Sequence, residues 1–238
     1  MVRFVAIGAV LTAVFAAAFA PAGLSRLALD QVPQVALLNP SGTLWSGSGT
    51  LHTYGNRLGT LSWDLQVFTI FLGVLSYDFT LKGQDLDLHG NGGAGWNRSF
   101  AITATGRVGE AFVNRLMAPY DMTISGDLKL NDSRIEFVKG IPSAADGSAG
   151  WDGGSVRYTL GRRAFSAVLP AMQLALGPGP EAQLFEYNGD KELMVAELQP
   201  TGFAKVAMTR RMTALANNPW PGQGDPDQVV VEVEEKIF

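Results

Sequence analysis

The sequence predicts a mainly β protein: an N-terminal single transmembrane helix followed by an antiparallel β-meander or curled sheet with one or two short helices. From Thr60 onward apolar and polar residues alternate. Leu61, Trp63, Leu65 and Val67 point one way, and Thr60, Ser62, Asp64 and Gln66 the other. A period of two marks a strand with one dry and one wet face. Glycine supplies 28 of the 238 residues, above the typical ~7%. The glycines are spread along the chain, as tight turns between antiparallel strands require. Phe4 to Leu24 carries no charge. As a helix at ~1.5 Å per residue this run is about 31 Å long, enough to cross the ~30 Å hydrocarbon core.

In chain order, residues 1–3 form a minimal basic lead whose Arg3 predicts a cytoplasmic N-terminus and export of the remainder. Residues 4–24 are the anchor. The competing reading is a cleaved signal peptide, because Ala18-Phe19-Ala20 has the small-x-small form and Ala20-Pro21-Ala22 offers a second site. Pro21 at the first mature position disfavours cleavage, so the retained anchor is preferred. Residues 25–40 read as a juxtamembrane linker, with Gln31 to Pro40 extended. Residues 41–216 are the β domain. Gly-Thr-Leu recurs in it at Gly42, Gly49 and Gly59.

Phe68 to Leu75 is a dense apolar run, too short to span a bilayer as a helix, and reads as buried strand or turn; an apolar lip facing membrane or lipid is its functional alternative. Leu75, Tyr77, Phe79 and Leu81 alternate with Ser76, Asp78, Thr80 and Lys82, and Phe100, Ile102 and Ala104 make another strand. Over Arg107 to Met117 the period changes to that of a short helix ended by Pro119, placed to plug one end or face of the sheet. Alternation resumes at Met122, and Gly126-Asp-Leu-Lys-Leu echoes Gly59-Thr-Leu-Ser-Trp. Ile141 to Gly154 reads as a small-residue loop holding Trp151. Ser155 to Leu160 is a strand, and Phe165 to Leu176 is a strand region interrupted by Pro170. Asn188-Gly189 is a hairpin signal. Val206 to Ala216 looks helical, and its Arg210 and Arg211 read as a solvated face or as contacts to lipid headgroups. Residues 217–238 are a Pro/Gly linker and then Val229 to Lys236, either a last strand or a tail that adds to a partner's sheet edge.

The hydrophobic N-terminus, then Gly42-Thr-Leu-Trp-Ser-Gly47, Leu61-Ser62-Trp63 and Tyr120-Asp-Met-Thr-Ile-Ser-Gly-Asp-Leu128 together resemble type II secretion system protein N, also called general secretion pathway protein N, over roughly residues 1–216. The resemblance implies a Gram-negative inner-membrane accessory subunit with a periplasmic β domain. It implies partners among the other inner-membrane secretion subunits and brings no catalytic residues. The run of strands also resembles, distantly, the AsmA-like envelope proteins.

The residues themselves offer little chemistry. No cysteine is present, so disulfides, thiolate zinc sites and thiol nucleophiles are excluded. A net charge of −4 argues against nucleic-acid binding. Gly90 to Gly95 matches Gly-x-Gly-x-x-Gly with Glu110 downstream, but a strand follows where a dinucleotide site needs a helix N-terminus, so a flexible hairpin loop is preferred. Asp85, Asp87 and His89 at i, i+2 and i+4 would suit a metal or a carboxylate–imidazole pair, yet any solvent-facing strand shows the same spacing. His52 has no acidic neighbour in sequence, and no nucleophile elbow is present. No catalytic residue, metal or cofactor is therefore expected. Trp63 is in phase with the dry face, whereas Trp45 and Trp220 suit a membrane interface or a partner. The expected interface or groove residues are Trp45, Leu75, Tyr77, Phe79 and Leu81.

Two functions compete. In the preferred one, the β domain docks onto secretion-machine components without catalysing a reaction. In the other, the apolar face of a curled sheet holds phospholipid or another hydrophobe. A dry face fully covered by a second layer favours the first reading, and an uncovered one the second. A periplasmic enzyme would have to be built around Asp85, Asp87 and His89.

Overall fold

The computed structural model describes residues 35–53, 56–66, 69, 73–95, 99–139 and 141–236. The expected cytoplasmic lead, the anchor, residues 25–34 of the linker, most of the first five residues of the Phe68–Leu75 run and Trp96 lie outside the described residues. Among the described residues no helix is long and apolar enough to cross a membrane.

Among the described residues sixteen strands and two α-helices follow one another. They are β1 (Val35–Gly42), β2 (Ser46–Thr53), β3 (Asn56–Leu65), β4 (Val74–Lys82), β5 (Leu86–Gly95), β6 (Ser99–Val108), α1 (Glu110–Met117), β7 (Met122–Ile124), β8 (Leu128–Val138) and β9 (Ile141–Trp151). Then come β10 (Gly154–Leu160), β11 (Arg163–Leu169), β12 (Met172–Leu176), β13 (Glu181–Glu186), β14 (Glu192–Leu198), β15 (Phe203–Thr209), α2 (Arg210–Leu215) and β16 (Val229–Lys236). Thirteen strands form one antiparallel sheet in the order β1-β2-β3-β4-β5-β6-β8-β9-β12-β13-β14-β15-β16. The order is that of the chain, with β7, β10 and β11 set aside in a three-stranded sheet, β11-β10-β7.

Because the side-chain period is two, register carries one face across every strand. Leu61 pairs with Leu81, Leu81 with Leu88, Gly106 with Leu130 and Trp151 with Met172, so the inward residues meet on one dry face. The small sheet and both helices lie over one end of that face. Val113 of α1 packs with Leu81, Leu86 and Val108. Val156, Ala167 and Leu169 of the small sheet, with Met212 and Leu215 of α2, pack on Trp151, Met172 and Leu193.

Four stretches differ from the sequence reading. Gln31 to Pro40 was expected to be an extended connection, yet from Val35 the chain is strand β1, paired through Leu37↔Leu51. The small-residue loop at Ile141–Gly154 is mostly strand β9, and Trp151 is a core residue. Its alanines and glycines face larger neighbours, as in Ala145↔Ile135 and Gly147↔Leu176. Pairing overrides the weak strand propensity of these small residues. The helix expected over Val206–Ala216 is strand through Thr209 and helix only after it, where the Thr209 hydroxyl caps Met212 N–H. The glycine-rich stretch Gly90–Gly95 is not a hairpin loop but the second half of β5. A Cβ on Gly90 would stand 1.9 Å from the Thr103 carbonyl oxygen, so only glycine lets β5 and β6 approach this closely.

Candidate docking surface

The middle strands of the large sheet have a covered and an uncovered end. At the covered end lie Leu86, Val108, Trp151, Met172 and Leu193, all buried under α1, α2 or the small sheet. α1 is fixed there from outside its own sequence. Gly109 gives it no side-chain cap. Instead Asp127 accepts the Glu110 N–H at 2.9 Å and the Arg107 guanidinium at 2.9 Å, while the Glu110 carboxylate accepts the Gly126 N–H. These donors hold the Asp127 carboxyl below the usual carboxylate range, the Glu110 N–H contributing most. Asn114 completes the clamp: its amide donates to the Ile124 carbonyl at 2.9 Å and accepts the Ile124 N–H at 2.8 Å. α1 thereby grips β7 much as a neighbouring strand would.

The uncovered end is apolar without a lid among the described residues. Leu75 is 40% exposed, Phe100 44% and Ile135 39%; Val138 and Ile141 at the β8–β9 turn are exposed as well, but one residue out of phase with Phe137, on the other face. Phe100 pairs with Phe137 across the strands, ring centroids 5.9 Å apart. From β3 to β15 the rows that run through Trp63, Tyr77, Ile102, Ile135, Leu174 and Val206 hold no ionisable side chain except Tyr77. Burial raises the Tyr77 hydroxyl pKa. The floor is apolar because its aromatic residues stand opposite glycine: Phe79 faces Gly90 and Tyr77 faces Gly92.

The five expected interface residues therefore divide. Leu75 is exposed, and Tyr77 and Phe79 are half-buried on the open part of the face. Leu81, 8% exposed, belongs to the core beneath α1. Trp45 is half-buried in the β1–β2 hairpin at the uncovered end, where its carbonyl accepts the Leu65 N–H. Trp63, expected in the core, is half-buried; it lies over Gly47, and its indole N–H donates to the Leu44 carbonyl at 3.1 Å.

The row Asp85, Asp87 and His89 does not assemble a site. Asp85 precedes β5 and pairs with Arg115 at 3.0 Å, while Asp87 and His89 are exposed on the wet face. Among the described residues no three His, Cys, Asp or Glu side chains stand where they could hold a metal ion. His52 on β2 and His89 on β5 are three strands apart, about 14 Å across the sheet at ~4.8 Å per strand, and His52 is offset further along its strand from Ser48, the residue in register with His89. Arg210 and Arg211 hold the chain itself. Arg210 donates to the Trp220 and Gly222 carbonyls at 3.0 and 2.9 Å, and Arg211 pairs with Asp227 at 2.7 Å. Together they staple the linker that leads to β16. Neither role is legible in sequence, because both depend on where the linker folds back.

Residues 33–219, more than half of the chain, match the family described as type II secretion system (T2SS), protein N. No significant similarity to a curated protein or to a solved structure was found. The match begins just before β1 and ends between α2 and β16, so it spans the small sheet, both helices and every described strand of the large sheet except β16. The chain belongs to the protein N family of the type II secretion system.

Proposed function

We propose that this secretion-system component is a non-enzymatic, single-pass inner-membrane subunit whose periplasmic β domain docks onto other inner-membrane subunits, assisting export of folded proteins across the outer membrane. The observation that carries the reading is the match of residues 33–219 to this family; the open apolar end of the large sheet offers a contact face, and taken alone it favours the second reading below. An apolar surface of this kind on a folded domain marks a contact site. The charge-free run Phe4–Leu24 supports the anchor, and Arg3 the orientation. The chain enters the sheet at Val35, whose partner Thr53 lies at the covered end. In this reading the covered end faces the inner membrane and the open end points into the periplasm.

A second reading, phospholipid or another hydrophobe held on the open face, is favoured by one observation. On the dry face Leu75, Tyr77 and Phe79 carry no charge, and among the described residues neither helix cluster includes them. Crosslinking in cells followed by pull-down of the membrane-extracted protein, with lipids analysed in the same sample, separates the two. Recovery of inner-membrane secretion subunits supports docking. Stoichiometric phospholipid without those subunits overturns it.

A further inference from the structure

Among the described residues the large sheet ends at β16, and the rows that end there specify what can be added. On the wet face, Glu181 of β13 stands opposite Glu197 of β14, Glu197 opposite Lys205 of β15, and Lys205 opposite Glu234 of β16. Glu232, two residues before Glu234, lies 3.0 Å from the Lys205 ammonium. One lysine thus serves Glu232, Glu197 and Glu234, and the row stays short of positive charge. On the dry face, Met194, Met208 and Val231 form one row, and Ala196, Val206 and Val233 the next. That second row ends in the open, with Val233 52% exposed. β16 has eight residues and, among the described residues, pairs only with β15. An edge strand presents a line of unpaired backbone donors and acceptors.

We propose that the β16 edge is a docking site for an extended segment of a partner protein with basic and apolar residues in alternation. Strand addition would extend both rows by one position: a Lys or Arg opposite each of Glu232 and Glu234, and an apolar side chain opposite each of Val231 and Val233. Backbone pairing supplies affinity, and the two glutamates select the sign of the partner. The same charges disfavour a second copy of this chain. β16 against β16 sets glutamates near one another, and β1 offers Val35 to Gly42 without a basic residue and with Pro40 lacking its N–H. β16 lies beyond the residues that match the family. The inference rests on the docking reading only in taking the partner to be a protein.

The test uses the detergent-extracted full chain and fluorescent eight-residue peptides at near-physiological ionic strength, where weak surface attraction is screened. The probes are alternating Lys/Val, alternating Glu/Val and alternating Lys/Pro; the last keeps the charge but cannot pair as a strand. The Lys/Val peptide is expected to bind at least about tenfold more tightly than either control. The double variant Glu232→Lys, Glu234→Lys is expected to lose that peptide and take up Glu/Val. Hydrogen exchange on the unsubstituted chain is expected to show new protection of β16 amides with Lys/Val. Equal binding of Lys/Pro, or no protection of β16, overturns strand addition; equal binding of Glu/Val overturns the charge rule. Because the peptides need no secretion machine, a failure here leaves the crosslinking result untouched, and the converse also holds.

Discussion

Leu193 has 0% of its surface exposed and sits where β14, the small sheet and α2 meet. Leu193→Ala leaves a cavity that three layers must close, so a loss of about 2–5 kcal/mol is expected in urea unfolding. Gly90→Ala acts by the opposite route. The new methyl would meet the Thr103 backbone, which no rotamer change can move aside, and a loss of about 1–3 kcal/mol is expected in the same assay. Asp127 carries the pH dependence. Its folded-state pKa lies below the ordinary ~3.9. The stability it contributes is therefore complete above the unfolded value and is lost as pH falls through the lower folded value. A side-chain carbon NMR titration should place its midpoint below that of an exposed aspartate, and Asp127→Ala should flatten the acid limb of the stability profile. A midpoint at or above the ordinary value would contradict this account. The roles of Gly90 and Asp127 are invisible in a one-dimensional reading, because the Thr103 carbonyl and the Glu110 N–H come from other elements.

Among the elements, α1 and β9 make the instructive contrast. α1 was legible because Phe112, Val113, Leu116 and Met117 follow a helical period, and Pro119 sits just past its last residue. β9 was not, because Ala, Ser and Gly dominate it and its strand character comes from β8 on one side and β12 on the other. α2 is shorter than the expected helix over Val206–Ala216 for a related reason: Val206 to Met208 pair with β14 and β16, and that pairing decides for strand. The joint between α1 and β7 is testable. Asn114→Ala deprives both the Ile124 N–H and its carbonyl of partners in a half-buried place. A loss of about 1–3 kcal/mol is expected, with faster hydrogen exchange at Ile124 than elsewhere in the small sheet. Uniformly faster exchange would show instead that α1 and β7 open only with the whole domain.

For the whole molecule, the division of the dry face matters most. One end is sealed by two helices and the small sheet; the other keeps Leu75, Phe100 and Ile135 in contact with solvent. Substituting Leu75 and Phe100 with Ser should cost far less stability than Leu193→Ala, since part of each side chain is already exposed. It should nonetheless abolish crosslinks from the open end or remove co-purifying lipid. Loss of neither would dismiss the open face as a contact surface. The absence of cysteine lets a single introduced thiol at Lys139 or at Asn188 report separately on the open and the covered end.

What the sequence by itself determined is the class of the protein and its binary pattern. A period of two repeated between glycine-rich turns admits an antiparallel sheet with one dry face, and the same residues carry the family membership. That much is local, since each strand records its own in-and-out alternation. Only the tertiary structure decided which end of the dry face is sealed, that Leu81 is core while Leu75 is open, and that Arg210 and Arg211 hold the linker rather than a ligand. It also decided that Glu181, Glu197, Lys205 and Glu234 share one row at the sheet's edge. Those outcomes depend on register and on contacts between residues distant in the chain, and a local alternation is the same whether its dry face meets a helix, a second sheet or water.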